Sequence, residues 1–188
     1  VWVHDLTGLA STSAVRITPT ETSPHITWGI ADFIAGEEMD RTRGMWWTHN
    51  GSALLVQRTD VSGVAELAIE NPVDPDSPIR TRYPAAGTPN AAVTLHRFGL
   101  DGSQVEIDWD HRIYEYLVDV ITDSHGELLV LQSRDQRTYR VLSIDADGTT
   151  STLSEQSDPA WVELISGSPA RIESGQLVSV RDDHEDDQ

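Results

Sequence analysis

The sequence predicts an all-β protein, part of a β-propeller of four-stranded antiparallel blades with one short helical insertion near residues 30–43. Three observations predict it. Turn dipeptides punctuate the chain: Asn50-Gly51, Asp101-Gly102 and Asp147-Gly148 are strong, while Ser62-Gly63, His125-Gly126, Ser166-Gly167 and Ser174-Gly175 are weaker. Short β-rich runs lie between them. Two of the units so formed repeat.

The runs, in order, cover residues 14–17, 25–28, 45–48, 53–58, 65–69, 92–98, 104–107, 116–122, 127–132, 139–144 and 150–153. Only residues 30–43 favour a helix, through Ile34, Ala35, Glu37 and Glu38, and the segment is long enough for a turn or two. When Gly51 is aligned with Gly126, an offset of 75 residues, Leu54 falls on Leu129, Leu55 on Val130, Gln57 on Gln132 and Asp60 on Asp135. Leu67 then falls on Leu142 and Ile69 on Ile144, which makes 65–69 a third strand and 92–98 a fourth, matched by 150–153. Four antiparallel strands per repeated unit is the plan of a propeller blade. On this reading residues 1–188 are part of a single propeller domain, with complete blades at 44–100 and 115–155, partial blades on either side, and an irregular Pro-rich insertion at 71–90. Val1, Val3 and Asp5 alternate like a strand under way, and Leu177 to Val180 runs into an acidic stretch, so the ends read as those of a fragment. A partial propeller leaves apolar end faces open, which the rest of a longer chain or a homo-oligomer would cover.

Composition narrows the function. The 188 residues carry 13 Lys+Arg and 31 Asp+Glu, a formal net charge of −18. So acidic a surface argues against nucleic acid as a partner. No stretch approaches the ~20 apolar residues of a membrane-spanning helix. There is no Cys, hence no disulfide and no thiolate metal site, and every basic residue is Arg. The compartment is unknown from these features, with a cytoplasmic one favoured.

The segment 26–51 reads ITWGIADFIAGEEMDRTRGMWWTHNG. It resembles the propeller domain of the dipeptidyl peptidase IV family, serine peptidases of the prolyl oligopeptidase type. That family carries a Glu-Glu pair on a short helical insertion, followed by a Trp-Trp-Ser-Pro-Asp/Asn-Gly strand and turn. Tyr83-Pro84-Ala85-Ala86-Gly87-Thr88-Pro89-Asn90 is similar to the family's Tyr-Pro-x-Ala-Gly-x-x-Asn, and Tyr116-Leu117-Val118-Asp119-Val120 looks like the opening strand of the next blade. Thr48-His49 departs from the usual Ser-Pro and should alter only the turn. Gly36 stands where some members have a further Glu.

Taken alone, Glu37-Glu38 means little: 31 acidic residues in 188 generate roughly 5 adjacent acidic pairs by chance, and the plain reading is a solvated turn. The resemblance implies more. In the family the paired carboxylates grip the free α-ammonium of a peptide substrate, so Glu37 and Glu38 are the implied substrate-binding residues. An ammonium has three donors and a carboxylate only accepts, so two carboxylates can share one amine. Fixing the N-terminus at a set distance from a nucleophile implies removal of dipeptides, typically after Pro or Ala. The family's Gly-x-Ser-x-Gly elbow does not occur in this sequence, so no residue here is assigned a catalytic role. The implied partners are peptides with a free N-terminus and an α/β-hydrolase catalytic domain of the same parent chain, with no cofactor.

Other constellations have plainer readings. The seven His form no His-x-x-x-His pair, so no metal is assigned. Asp182 to Asp187 with His184 could hold a cation loosely but reads as a solvated turn. Asp145-Ala146-Asp147-Gly148 resembles the start of a calcium loop without its closing Glu, and a hairpin turn explains it. At least one of Trp46 and Trp47 belongs to a blade core, and Tyr83 and Asn90 read as structural. The function expected is substrate gating and amine anchoring in a dipeptidyl peptidase. The alternative is a stand-alone propeller-like protein-binding module with no peptidase activity.

Overall fold

The segments Ala53–Asp60 and Gly126–Gln132 are buried at successive positions rather than at every second one. Side chains alternate across a strand, so such segments need cover on both faces. The structure, a computed structural model, describes residues 1–6, 14–74 and 76–181 and shows how that cover is provided. In chain order the elements are β1 (Trp2–Val3), β2 (Val15–Arg16), β3 (Ile26–Trp28), α1 (Phe33–Glu38), β4 (Met45–Trp47), β5 (Ala53–Asp60), β6 (Glu66–Ile69) and β7 (Ile79–Arg82). There follow β8 (Ala92–Gly99), β9 (Gln104–Ile107), β10 (Tyr116–Asp123), β11 (Gly126–Gln132), β12 (Thr138–Ile144), β13 (Thr150–Ser157), β14 (Ala170–Arg171) and β15 (Leu177–Val178).

Two antiparallel sheets dominate. One runs β3-β5-β8-β9 with β4 also on β5; the other runs β10-β11-β12-β13. They stack face to face, as propeller blades do. Leu55, Leu95 and Ile107 of the first sheet meet Leu117, Leu129 and Leu131 of the second in the main core, joined by Trp46 and Trp109. The opposite faces have their own cover. Leu54, Val56 and Phe98 pack with Val1, Val3, Ile17 and Trp28, while Leu128, Val130, Tyr139 and Val141 pack with Val162, Leu164 and Leu177. Complete burial of each Leu or Val contributes about 1.5–3 kcal/mol. Among the described residues no helix is long and apolar enough to cross a membrane.

The repeat holds through the second strand of each sheet. Leu54 and Leu129 both face the preceding layer and Leu55 and Val130 the following one. Gln57 and Gln132 are both buried polar residues, and Asp60 and Asp135 each accept a backbone N–H from two residues on. Beyond that point the offset fails. Leu54 lies opposite Phe98 and Leu129 opposite Leu142, so Phe98, not Leu67, occupies the place of Leu142. The expected third strand at 65–69 is instead β6, exposed along its length and, among the described residues, paired only with β7. The third strand of the first sheet is β8 and its fourth is β9. The insertion at 71–90 is not irregular throughout, since it contains β7. Both strand sets alternate well enough to align, but β8 buries Val93, Leu95, His96 and Phe98 whereas β6 buries none of its residues, so β8 is the one that belongs to the stacked blade. The acidic stretch from Asp182 to Asp187 lies outside the described residues. Asp145 to Gly148 forms the β12–β13 hairpin turn, with the Gly148 N–H donating to the Asp145 carbonyl at 3.0 Å.

His96 on β8 is buried against Trp28 and Phe98, with Nε2 2.9 Å from the Thr94 hydroxyl. Burial pulls its imidazole below the usual range; Glu106 opposes this and Arg58 adds to it.

Two predictions follow from this packing. Leu131→Ala is expected to destabilise the protein by about 2–5 kcal/mol, whereas Leu67→Ala, on the exposed hairpin, should cost at most about 0.5 kcal/mol in chemical denaturation. Similar losses at both sites would contradict the strand assignment. The folded state disfavours the His96 cation, so the unfolded state binds the extra proton. Stability from this residue is therefore fully present above the unfolded value of about 6.5 and is lost as pH falls through the folded value. His96→Gln should flatten the loss of stability as pH falls below about 6.5, and an unchanged slope would rule this source out.

Candidate functional site

The helical insertion sits on an interrupted strand. β3 and β4 lie end to end along the same edge of β5, Ile26–Trp28 opposite residues 58–60 and Met45–Trp47 opposite 54–56. The chain leaves the sheet at Gly29 and returns at Gly44. Between the two halves, the Gln57 carbonyl accepts from Gly29 N–H at 2.9 Å and Gln57 N–H donates to the Gly44 carbonyl at 2.8 Å. An isolated bridge between Ile30 and Arg43 closes the neck. Gly29 has φ +78°, and a Cβ on Gly44 would lie 2.8 Å from the Ile30 backbone, so neither position accepts another residue without strain.

Above the neck, Asp32 caps α1, its carboxylate accepting from Ala35 N–H. At the other end the Ala35 carbonyl accepts from both Met39 and Arg41 N–H, with Asp40 left-handed at φ 49°. Phe33 stacks edge-on against Tyr83 at 5.3 Å, which steadies the arm from the side of the insertion after β7. Glu37 and Glu38 are the last two residues of the helix and both are exposed. A side chain at Gly36 would meet open space, so the departure from the family there is sterically neutral.

Both glutamates line a cavity of about 820 Å³ between α1, residues 118–123 of β10 and residues 164–171. Its carboxylates are Glu37, Glu38, Asp40, Asp119 and Asp123, against three guanidinium groups, Arg41, Arg43 and Arg171. Arg171 is taken up by Asp123 at 2.9 Å and Arg41 is turned into the interior, so the open wall is acidic and suits a cation. Neither Glu37 nor Glu38 has a hydrogen-bond or ion-pair partner among the described residues.

Sequence reasoning overlooked Arg41. Its side chain is buried, and its fork donates to four oxygens: Leu117 O at 2.7 Å, Val118 O at 2.9 Å, Arg43 O at 2.8 Å and Gln57 Oε1 at 2.8 Å. Asp32 Oδ1 lies 3.9 Å away. A β-bulge between Leu117 and Asp119 leaves two successive carbonyls free for this guanidinium. Burial pulls the guanidinium below its ordinary range, while Asp32 and Asp119 pull it back up; it stays charged, as arginine does in proteins. The one hint in the sequence is that Arg41 stands between the acidic pair and the returning Gly44.

The other candidates separate. Trp46 is buried in the core beneath Arg41, whose guanidinium carbon is 5.4 Å from its ring, while Trp47 is exposed. Thr48 replaces the family's Ser without loss, since its hydroxyl accepts from Ala53 N–H and lies 2.9 Å from Asn50 Oδ1. Neither Tyr83, which stands beside the arm against Phe33, nor Asn90 lines the cavity. Asn90 donates to Glu115 at 2.9 Å, next to Tyr116. Burial raises the Tyr116 phenol, Asn90 and Arg134 oppose this, and the charges of Glu115 and Glu38 add to it.

The sequence profile of the "Dipeptidyl peptidase IV (DPP IV) N-terminal region" family matches residues 1–184. A relative named "Probable dipeptidyl-aminopeptidase B" from Aspergillus oryzae is 27% identical over 194 residues, covering 87% of this chain and 21% of its own. Its namesake from Talaromyces marneffei is 28% identical over 164 residues, covering 72% and 18%. The chain thus spans about a fifth of the length of these relatives. The crystal structure of Porphyromonas gingivalis dipeptidyl peptidase 4 superposes with a TM-score of 0.70 at 20% identity, covering 80% of this chain and 22% of that one, and shares its fold. The match along nearly the whole sequence, on a fold of stacked antiparallel blades, shows that this chain belongs to the dipeptidyl peptidase IV N-terminal region family.

Proposed function

We propose that this chain is the substrate-selecting, non-catalytic part of a dipeptidyl peptidase IV-like serine peptidase, and that Glu37 and Glu38 grip the α-ammonium of the incoming peptide. The observation that carries this reading is the pair itself: two adjacent carboxylates with no hydrogen-bond or ion-pair partner among the described residues, held on a braced arm at the wall of an acidic cavity. A solvated acidic turn needs no such bracing.

The chemistry is direct. Each carboxylate accepts a charge-assisted hydrogen bond from one ammonium, worth about 1.5–3 kcal/mol apiece. A blocked amine offers no cation and too few donors, so the pair selects free N-termini. Held at one height, it also measures the distance to a nucleophile, so that the bond after the second residue is presented for cleavage. The nucleophile and its base would come from an α/β-hydrolase domain of the parent chain. The cavity walls gate which peptides reach it.

A second reading, a protein-binding module without peptidase activity, draws on the β6–β7 hairpin, where Leu67, Ile69 and Ile79 are all exposed. The reading frame downstream discriminates: a Gly-x-Ser-x-Gly elbow followed by Asp and His supports the peptidase, and an unrelated domain supports the module.

In the full-length gene product, Glu38→Gln is expected to lower kcat/KM for free-amine dipeptidyl substrates by about 10- to 150-fold, the equivalent of one such hydrogen bond. Folding stability should change by no more than about 0.5 kcal/mol, because the residue is exposed. Activity at the wild-type level would remove the anchor assignment. The 188-residue chain alone should release no product from a Gly-Pro chromogenic substrate. Steady hydrolysis by the purified chain would place a nucleophile within it.

A further inference from the structure

We propose that Arg41 is the positioning residue of the amine anchor: its buried guanidinium sets the height and direction of Glu37 and Glu38 over the cavity. The inference rests on the reading of those two glutamates as the anchor. A six-residue helix is too short to hold a place by its own hydrogen bonds. Its pose must come from what grips its ends.

Arg41 grips both. Its backbone N–H donates to Ala35 O at 3.0 Å, closing the end of the helix that carries the glutamates. Its guanidinium faces Asp32, the residue that caps the start, across 3.9 Å. The same Asp32 accepts from Gln57 Nε2 at 3.2 Å, and Gln57 Oε1 accepts from Arg41. Helix start, helix end and β5 are thus joined through one planar group. Two further donors reach Leu117 O and Val118 O on β10, the strand whose first residue, Tyr116, lies within the field of Glu38. The arm of one blade is thereby referenced to the next blade. A lysine keeps the charge but is a point donor on a flexible stem and cannot span these acceptors at fixed angles.

The test is a double-variant cycle in the full-length protein, with active sites counted by a serine-directed phosphonylating reagent. Arg41→Lys is expected to raise KM for a free-amine dipeptidyl substrate about tenfold with kcat within about twofold, because an anchor is displaced and not the nucleophile. If Arg41 acts through the glutamates, adding Arg41→Lys to the Glu37→Gln/Glu38→Gln protein should change its kcat/KM by no more than about twofold. A structural role alone would lower the count of active sites and leave KM per site unchanged. Unchanged KM, or losses that multiply, would overturn the positioning role while leaving the anchor in place. No effect of Glu38→Gln by itself would instead remove the anchor, and this proposal with it. Should Arg41→Lys fail to fold, Asp32→Asn takes its place in the same cycle, since Asn still caps the helix but no longer presents a charge to Arg41.

Discussion

One buried guanidinium ties the site to the fold. Arg41 reaches the interface between two stacked blades, and its donors meet four oxygens from three segments: one on the neck, one on β5 and two successive carbonyls of β10. Burying a cation is costly unless it is paired and fully hydrogen-bonded. Here Asp32 supplies the counter-charge, the bulge at Leu117–Asp119 supplies the extra carbonyls, and Trp46 supplies an aromatic face below. Each of these features is odd in isolation. Together they form one arrangement whose result is a short helix held at a defined place above a cavity.

Stacking of the blades does the rest. β5 and β11 are apolar on both faces because each is the inner layer of a sheet covered on two sides. That packing fixes the register of β10, and so the positions of the carbonyls that receive Arg41. The paired glycines at the neck allow the first strand of the blade to be broken without loss of its hydrogen bonds to β5. An insertion can therefore carry exposed charge without weakening the core beneath it.

Much of this was legible in the sequence. The turn dipeptides and the match of Leu54 and Gln57 with Leu129 and Gln132 marked the repeating strands, because side-chain alternation and left-handed turn positions leave local signatures. The helix was legible from its formers, whereas the glutamate pair, one of several adjacent acidic pairs, was singled out only by the family resemblance of residues 26–51. Residues 65–69 misled because β6 alternates like a blade strand, and only long-range pairing shows that β8 takes that place. Arg41 was illegible for the same reason. Its partners Leu117 and Val118 are 76 and 77 residues away and are backbone atoms, which no side-chain pattern marks. Tyr83 stood out as a motif residue, but its contact with Phe33 depends on how the insertion folds back over the arm.

If Glu37 and Glu38 anchor the amine as proposed, selection and chemistry are divided between parts of a protein: an acidic arm reads the amine, and a nucleophile elsewhere cuts at the distance the arm dictates. The most direct test is a crystal structure of the full-length protein with a tripeptide carrying a free N-terminus. The account predicts the α-nitrogen about 2.7–3.2 Å from carboxylate oxygens of both Glu37 and Glu38, with Arg41 still donating to Leu117 and Val118. An α-nitrogen seated on Asp119 or Asp123, or outside the cavity, would contradict it.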